Sequence, residues 1–591
     1  MKNGLYALAS LDGAPLGPIE CRTLGFAAPP GEQERRLEGF AVRAIDREEG
    51  AGAIGFVVRG DCLAAFLGHL DEPAELARLV GLSPDAPPAE LALAALERFG
   101  DEAPAMMLGE WSLLCWHAPA RELTLLASEA CRDLMFFATD GWRVAVSPEL
   151  RRLSRLDWVG AVFDPAGFPL QLSRGRLRRI MTGETILRGV RRVVPGTREV
   201  FAIGKRRTSR VRTPPPPDAW QGSFEDGVAD LEKVLRRIVR QQLQRHGTAA
   251  FLLSGGLDSS LLAWLGSQER GERQNLFFLS SVAPVASDIP DEREYSQAVA
   301  QRLGLPITFI CPPESASAYT PSARMFARTE LPVTSPRHYL YDALYDAALA
   351  GGVDALFDGV YGELTLTNKL SLASSRAPLR QRVRKAKAWL RSFRDRQDWP
   401  AGGFHARLSK HALASLPPEW TREWRTAYAP DPAPRARALW GFRPAIRKNA
   451  MTPSSAACEG LRHLMPYRDR RLLRLAAGMP ASFLHQGGMN RALARAMLKD
   501  RLPDAVRLRQ FGRPFSPDYM QRMQTQAPLA LARMDLFRAA GADEWLDLNW
   551  LADALVALGK RGPANFKEAF AVQMTAIAAE FFVWWKGDRS D

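Results

Sequence analysis

Cysteine is scarce in this sequence, and the six cysteines follow no disulfide or metal-ligand spacing. No CxxC pair occurs, so they are interpreted as free thiols of a reducing compartment. No apolar run is long enough to span a bilayer, and the apolar stretch within residues 1–10 is too short for a secretory signal. These absences argue against a disulfide-stapled secreted protein and a membrane protein, and we expect a cytoplasmic one.

Acidic residues are outnumbered by basic ones, which gives the 591-residue chain a formal net charge of +14. This charge suits a polyanionic partner, which could be nucleic acid, a membrane surface or the triphosphate of ATP. Basic residues concentrate in the segment Arg376–Arg396, where only Asp395 opposes them. This basic segment is either a solvated helix face or a docking surface, and the sequence leaves both open.

Residues 254–260 read Ser-Gly-Gly-Leu-Asp-Ser-Ser and lack the Gly-Lys-Ser/Thr of a Walker A motif. Apolar runs precede and follow this loop, which predicts a strand, a tight turn and a helix. Two glycines let backbone N–H groups close around an anion, and the start of the helix adds the positive end of its dipole. Asp258 is a carboxylate that could hold Mg²⁺ against phosphates. The pattern favours a phosphate-binding loop over an ordinary capped turn.

The polyproline run Thr213–Pro217 is a stiff linker and marks the clearest boundary. The chain is too long for one ordinary core, so we predict a domain over residues 1–210, a linker over 211–222 and a second domain over 223–591. Short alternating strands precede the linker, with Asp140–Gly141 as a hairpin turn.

After the linker, an amphipathic helix over about 224–245 leads to strands at 249–253, 275–280 and 307–310, with a helix over 292–303. Strands alternating with helices predict a doubly wound parallel α/β sheet. Beyond about residue 400 the pattern is mostly helical.

The loop at 254–260 resembles the PP-loop of ATP pyrophosphatases, which cleave ATP between the α and β phosphates. Other segments resemble the asparagine synthetase superfamily over nearly the whole chain, and their order and spacing make the resemblance specific. They are Phe99–Trp116, Arg132–Phe137, Val146–Leu150, Val193–Thr197, Asp291–Tyr295, Ala300–Gly304, Leu464–Leu472, Gly487–Arg495 and Leu502–Asp504.

This resemblance implies an N-terminal glutaminase-like domain of the Ntn-type αββα fold and a C-terminal PP-loop synthetase domain. The second domain would combine a doubly wound parallel sheet with a helical C-terminal part. ATP and Mg²⁺ are the implied cofactors. The implied ATP-binding residues are Leu252, Ser254, Gly255, Gly256, Leu257, Asp258, Ser259, Ser260, Asp358 and Gly359.

A glutaminase of this class needs cysteine as residue 1, so that its thiol works beside the free α-amine. Here Met1 is followed by Lys2, and Cys21 lies too far along the chain. We therefore expect the N-terminal domain to keep the fold without the chemistry.

The segment Leu356–Leu364 resembles the Gly-rich acidic loop of asparagine synthetases. Glu363 falls at the metal-binding position and would share Mg²⁺ with Asp258. Val360 falls where asparagine synthetases carry a glutamate and β-lactam synthetases a tyrosine, and an apolar side chain cannot act as a base.

The family places a pyrophosphate-contacting lysine where this chain has Gln510. Arg509 or Arg513 could supply the missing charge, since guanidinium suits phosphate oxygens. The sequence leaves the choice open, and the implied catalytic set is Asp258, Glu363, Arg509 and Arg513.

With no terminal cysteine and no base at position 360, the chain looks most like the lasso-peptide cyclases, or macrolactam synthetases. The resemblance implies adenylation of an Asp or Glu side chain of a precursor peptide, followed by ring closure with the peptide's N-terminal amine. AMP and pyrophosphate are released. A leader-binding protein and a leader peptidase are the implied partners, and no membrane partner is expected.

Three alternatives stay open. An asparagine synthetase or β-lactam-synthetase-like ligase would act on a small substrate. A tRNA-modifying PP-loop ligase would explain the basic charge, but such ligases lack a glutaminase-like half, so we do not expect nucleic acid as a partner. A non-catalytic adaptor would not need the intact loop at 254–260.

Overall fold

The computed structural model describes residues 1–27, 33–45, 53–131, 135–173, 183–210, 218–333, 335–367, 403–420, 460–510 and 512–587. The basic segment and the polyproline run lie outside the described residues. The proposed domain boundaries stay a prediction. None of the five cysteines in the described ranges forms a disulfide.

The N-terminal half is built on two six-stranded antiparallel sheets. The strands of this half are β1 Gly4–Ser10, β2 Glu34–Leu37, β3 Phe40–Ile45, β4 Ala53–Arg59, β5 Cys62–Leu70, β6 Gly109–His117, β7 Glu122–Ala127, β8 Phe136–Thr139, β9 Arg143–Ser147, β10 Val162–Phe163, β11 Leu187–Arg188, β12 Val190–Arg192, β13 Thr197–Ala202 and β14 Lys205–Arg210. The first sheet has the order β12-β8-β9-β1-β3-β2, and the second β14-β13-β7-β6-β5-β4. The predicted hairpin at Asp140–Gly141 is confirmed, because β8 pairs with β9.

Successive side chains of a strand point to opposite faces of its sheet. This alternation places one apolar core between the two sheets and further apolar clusters on their outer faces. In β1, Leu5 and Ala7 face the second sheet, whereas Tyr6 and Leu8 pack on the opposite side. Six short helices accompany this half: α1 Pro18–Thr23, α2 Pro73–Val80, α3 Pro88–Phe99, α4 Ala103–Met106, α5 Leu150–Ser154 and α6 Gly167–Gln171. Helices α2 and α3 cover the outer face of the second sheet, and α5 covers that of the first. The layers are therefore helix, sheet, sheet and helix.

The C-terminal half contains a five-stranded parallel sheet of order β17-β16-β15-β18-β19. Its strands are β15 Thr248–Leu252, β16 Asn275–Ser281, β17 Ile307–Ile310, β18 Ala355–Phe357 and β19 Arg462–Leu464. The predicted strands correspond to β15, β16 and β17, and the predicted parallel α/β sheet is confirmed. Strands β18 and β19 were not predicted, and β19 lies in the region whose pattern was interpreted as mostly helical.

Helices surround this sheet and make up most of the remaining chain. They are α7 Phe224–Leu243, α8 Leu257–Glu269, α9 Arg293–Leu303, α10 Ala323–Thr329, α11 His338–Ala350, α12 Lys410–Ala414, α13 Arg470–Gly478, α14 Ala492–Met497, α15 Asp504–Arg507, α16 Tyr519–Thr525, α17 Ala527–Leu531, α18 Met534–Ala539, α19 Leu548–Arg561 and α20 Phe566–Gly587. The predicted amphipathic helix is α7, which starts at a capping box between Ser223 and Asp226. Within the described ranges, no helix combines the length and apolar character that crossing a bilayer requires.

Candidate active site

The Ser254–Ser260 loop lies at the carboxyl end of β15, in the middle of the parallel sheet. The chain adds β16 and β17 on one side of β15 and later β18 and β19 on the other. Doubly wound sheets bind ligands at the carboxyl ends of strands where the order reverses in this way. Leu252 ends the strand and Leu257 begins α8, and both side chains are buried. The loop is therefore fixed at both ends and opens at the edge where a ligand is expected.

The loop backbone requires glycine at position 255. Gly255 has φ +69°, and a Cβ there would lie 2.5 Å from Cβ of Tyr295. Ser259 Oγ donates to the carbonyl of Gly256 at 3.2 Å and accepts from the N–H of Ser254 at 3.2 Å. These bonds shape the loop before any ligand arrives. The hydroxyl of Ser260 is fully buried and has no hydrogen-bond partner among the described residues.

Asp258, in the first turn of α8, is held by groups from distant parts of the chain. Thr367 Oγ1 donates to its carboxylate, and the Tyr467 hydroxyl donates to its main-chain carbonyl at 2.9 Å. A Cβ on Gly362 would lie 1.9 Å from Asp258 Oδ1, so the second loop packs directly against this carboxylate. The pKa of Asp258 is raised to about 6, chiefly by burial and also by the charge of Glu363, while the hydrogen bond from Thr367 and the charge of Arg491 oppose the rise.

The second loop follows β18 and is anchored by Asp358. The carboxylate of Asp358 accepts from the Tyr341 hydroxyl and from the N–H of Val360, each at 3.1 Å. His463 Nε2 lies 3.1 Å from the same carboxylate. Asp358 is thus bonded to protein groups, and its role as an ATP-binding residue stays a prediction.

Residues 359–363 bring this loop onto the start of α8. A Cβ on Gly359 would lie 3.1 Å from the N–H nitrogen of Ser259. Tyr361 has φ +78° and a buried side chain, and Val360 packs partly buried against the same core. Glu363 is exposed. The structure thus places Glu363 near Asp258, and it presents an apolar group at position 360.

The residues of this site fall within a segment that matches a known protein family. A family model for asparagine synthase matches residues 230–582, which is more than half of the chain. The chain belongs to the asparagine synthase family. Members of this family are ATP-dependent ligases that form amide bonds.

Two solved structures are similar to this chain at low sequence identity. One is a glutamine phosphoribosylpyrophosphate amidotransferase from B. subtilis complexed with ADP and GMP, at 9% identity and a TM-score of 0.22 over 52% of this chain. The chain spans 59% of that protein's length. The other, an allosteric regulatory enzyme of purine biosynthesis, has 12% identity and a TM-score of 0.23, covering 55% of this chain and 72% of its own. No curated protein matches the chain.

The two arginines predicted to contact pyrophosphate are both engaged by Glu292, at the start of α9. The Arg509 guanidinium contacts the Glu292 carboxylate and lies 4.1 Å from the ring centroid of Tyr295. The main-chain N–H of Arg513 donates to Glu292 at 2.5 Å. Since Tyr295 would meet a Cβ on Gly255, Arg509 lies one side chain away from the Ser254–Ser260 loop. Arg509 thus stacks on the neighbour of the loop, whereas the Arg513 guanidinium donates to the main-chain carbonyl of Asp291, and the catalytic role of either residue stays a prediction.

Sequence reasoning missed Arg491 as a member of the site. Arg491 has φ +58° and immediately precedes α14, which packs against α8. Its charge lowers the pKa of Asp258, and its Nε is buried with no hydrogen-bond partner among the described residues. The only sequence signal was a basic residue close to the Gly487–Gly488 pair.

A metal ion at this site would depend on Asp258 and Glu363. In the described part of the chain, no group of three or more His, Cys, Asp or Glu side chains could hold an ion. Mg²⁺ commonly binds through one or two carboxylates, with phosphate oxygens and water completing the shell. The repulsion between the Asp258 and Glu363 charges is what a cation between them would remove. These two residues therefore fit Mg²⁺ carried with ATP.

Proposed function

We propose that this protein is an ATP-dependent amide ligase and that it acts as a lasso-peptide cyclase. A side-chain carboxylate oxygen of a precursor peptide attacks the α-phosphorus of ATP, the bond to the β-phosphate breaks, and pyrophosphate leaves. The α-amine of the same peptide then attacks the acyl carbon of the adenylate. An isopeptide bond forms, AMP leaves, and the amine proton passes to solvent.

The observation that carries this proposal is the second loop at residues 358–363. Its position 360 offers a partly buried valine, Asp358 is bonded inside the protein, and Tyr361 is buried. The loop therefore offers no base at position 360, and its exposed carboxylate, Glu363, is assigned to Mg²⁺ in this proposal. A macrocyclising ligase tolerates this, because adenylation already provides a good leaving group. Catalysis then depends on positioning the amine and the acyl carbon.

The remaining site residues have complementary roles in this proposal. Mg²⁺ held by Asp258 and Glu363 would offset the negative charge of the departing pyrophosphate. The N–H groups of the Ser254–Ser260 loop and the start of α8 bind phosphate oxygens. Arg491, whose charge acts on Asp258, and Arg509, which lies over Tyr295 beside the loop, would add positive charge near the phosphates.

We infer that the N-terminal half is a glutaminase-like domain of the Ntn-type αββα fold without glutaminase activity. Its two stacked antiparallel sheets with helices on both outer faces support the fold. Cys21, the cysteine nearest the start of the sequence, lies in α1, where burial raises the pKa of its thiol. A buried neutral thiol is a poor nucleophile. We also propose a cytoplasmic location, with a leader-binding protein and a leader peptidase as partners.

The test is co-expression with a short precursor peptide encoded next to this gene, chosen for a core that starts at Gly and carries Asp or Glu several residues later. We expect the core peptide to lose the mass of one water, with AMP and pyrophosphate as nucleotide products. An Asp258→Asn variant is the matched inactive control. The family assignment fits a small-substrate ligase equally well, so aspartate and ammonia are supplied in a parallel reaction. Asparagine formation with an unmodified peptide would replace the cyclase assignment, and ADP as the main product would refute both.

A further inference from the structure

One short segment joins the ATP loop to the N-terminal half. Residues 466–471, called the bridging segment here, follow β19 after one residue and begin with a 3₁₀ turn over Pro466–Arg468. On one side, the Tyr467 hydroxyl donates to the main-chain carbonyl of Asp258 at 2.9 Å. On the other, Arg468 Nη2 donates to the carbonyl of Ala130 in the N-terminal half at 2.9 Å. The side chains of two consecutive residues thus contact the ATP loop and the N-terminal half.

The bridging segment has little freedom to shift alone. Tyr467 and Arg468 are both buried, and the strand before them is fixed because the N–H of Asp358 donates to the Leu464 carbonyl at 2.8 Å. Its far end is held by Arg471, which pairs with Glu72 of the N-terminal half at 2.5 Å. A displacement of the N-terminal half would therefore move Tyr467 as well.

The contact at Arg468 has room to open. A cavity of about 50 Å³ lies beside it, lined from the N-terminal half by Ala127–Ala130 and from the other half by Met465 and Arg468. The Nε and Nη1 atoms of Arg468 are buried and have no hydrogen-bond partner within the described ranges. A polar cavity of this size admits water. The contact of Arg468 with Ala130 can thus break without leaving an empty cavity, because water can enter the space.

We propose that the bridging segment couples the docking of the N-terminal half to the shape of the ATP loop. Tyr467 is a positioning residue for the first turn of α8, and Arg468 anchors it on the N-terminal half. The proposal rests on the proposed use of the Ser254–Ser260 loop for ATP. In this proposal the N-terminal half has a structural role although it catalyses no reaction. Its docking holds the phosphate-binding N–H groups of the Ser254–Ser260 loop in place.

The test uses Tyr467→Phe, Arg468→Met, the double variant, and Arg237→Met as the matched control. Arg237 pairs with Glu72 across the same interface from α7, outside the bridging segment, and its replacement leaves the pair between Glu72 and Arg471 in place. Hydrogen exchange by mass spectrometry is followed without nucleotide in peptides covering residues 254–260 and 128–131. Affinity for ATP is measured by calorimetry on the same proteins.

We expect both single variants to speed hydrogen exchange at 254–260 by about two- to tenfold. This factor corresponds to the net free energy that one hydrogen bond contributes to stability. The double variant adds little, the dissociation constant for ATP rises by a similar factor, and the control leaves 254–260 unchanged. Coupling is reciprocal, so Tyr467→Phe also speeds exchange at 128–131, a readout that survives if Arg468→Met does not fold. Arg468→Lys keeps a donor and restores part of the protection.

Exchange that changes only next to each substitution would overturn the proposal, as would a control variant that loosens 254–260 equally. If the double variant speeds exchange at 254–260 by the product of the two single factors, Tyr467 and Arg468 act independently, and the coupling would also be rejected. A wild-type protein that binds no ATP would refute the proposed function instead, while the exchange data would still decide whether the two halves are coupled.

Discussion

Replacing Asp258 with asparagine should stabilise the nucleotide-free protein while abolishing its activity. Asp258 is half-buried in the first turn of α8, and desolvation of its carboxylate raises its pKa from the ordinary 3.8 to about 6. Asparagine has the same shape and can still accept the hydrogen bond from Thr367, but it carries no charge. The substitution therefore removes the cost of a buried anion and little else.

The magnitude follows from the shift of about two pKa units at about 1.4 kcal/mol each, which gives about 3 kcal/mol. Because the folded-state pKa is the higher one, the contribution of this group to stability is fully present below pH 3.8 and is lost as pH rises through about 6. The variant and the wild type should therefore be equally stable near pH 4. Above pH 7 the variant should be more stable by up to about 3 kcal/mol.

Thermal unfolding at several pH values checks this expectation. For 591 residues unfolding together, 3 kcal/mol corresponds to a rise in melting temperature of about 2–3 °C, from an entropy of about 2 cal/mol/K per residue. Comparing both proteins at each pH cancels the titration of all other groups. A variant that is less stable at pH 8, or a difference that does not change between pH 5 and pH 8, would refute the reasoning.

Three further substitutions test the other parts of the site. Gly255→Ala should abolish ATP binding because its Cβ would clash with Tyr295, whereas Gly304→Ala, with φ +64° and nothing within 4 Å, should keep the affinity in the same calorimetric assay. Glu363→Gln should raise the Mg²⁺ concentration for half-maximal activity and leave the melting temperature unchanged, since its side chain is exposed; an unchanged Mg²⁺ titration would remove it from the metal site. Arg491→Gln should weaken ATP binding by about tenfold, as expected for one charge-assisted contact, and Arg491→Lys should recover part of it; equal affinities for all three proteins would exclude Arg491 from the site.

The sequence predicted the elements whose signals are local. Strands β15, β16 and β17 and the amphipathic helix α7 carry apolar runs or a clear periodicity, and their observed bounds agree closely with the expected ones. Strands β18 and β19 have only three residues each. Strands this short are stabilised by their neighbours in the sheet, so their own residues give no distinct pattern.

The candidate site likewise contains residues that local sequence identifies and contacts that only the assembled fold creates. The Ser254–Ser260 loop is contiguous and could be recognised from seven residues, and the pairing of Asp258 with Glu363 came from resemblance. Thr367 and Tyr467 contact Asp258 across 109 and 209 residues of sequence, and such contacts depend on the assembled sheet. The raised pKa of Asp258 likewise results from burial, which no single segment encodes.

The site also concentrates conformations and charges that a protein selected for stability alone would avoid. Tyr361 has a positive φ in the second loop, Arg491 has another beside α14, and Asp258 is a carboxylate whose ionisation is opposed by burial. Each is held in place by hydrogen bonds or packing from the rest of the fold. Costs of this kind persist where function requires them. Because all three lie around one strand end, the same few residues that destabilise the free protein are those that a cation and a triphosphate would stabilise. Ligand binding should therefore raise the stability of the wild type more than that of Asp258→Asn.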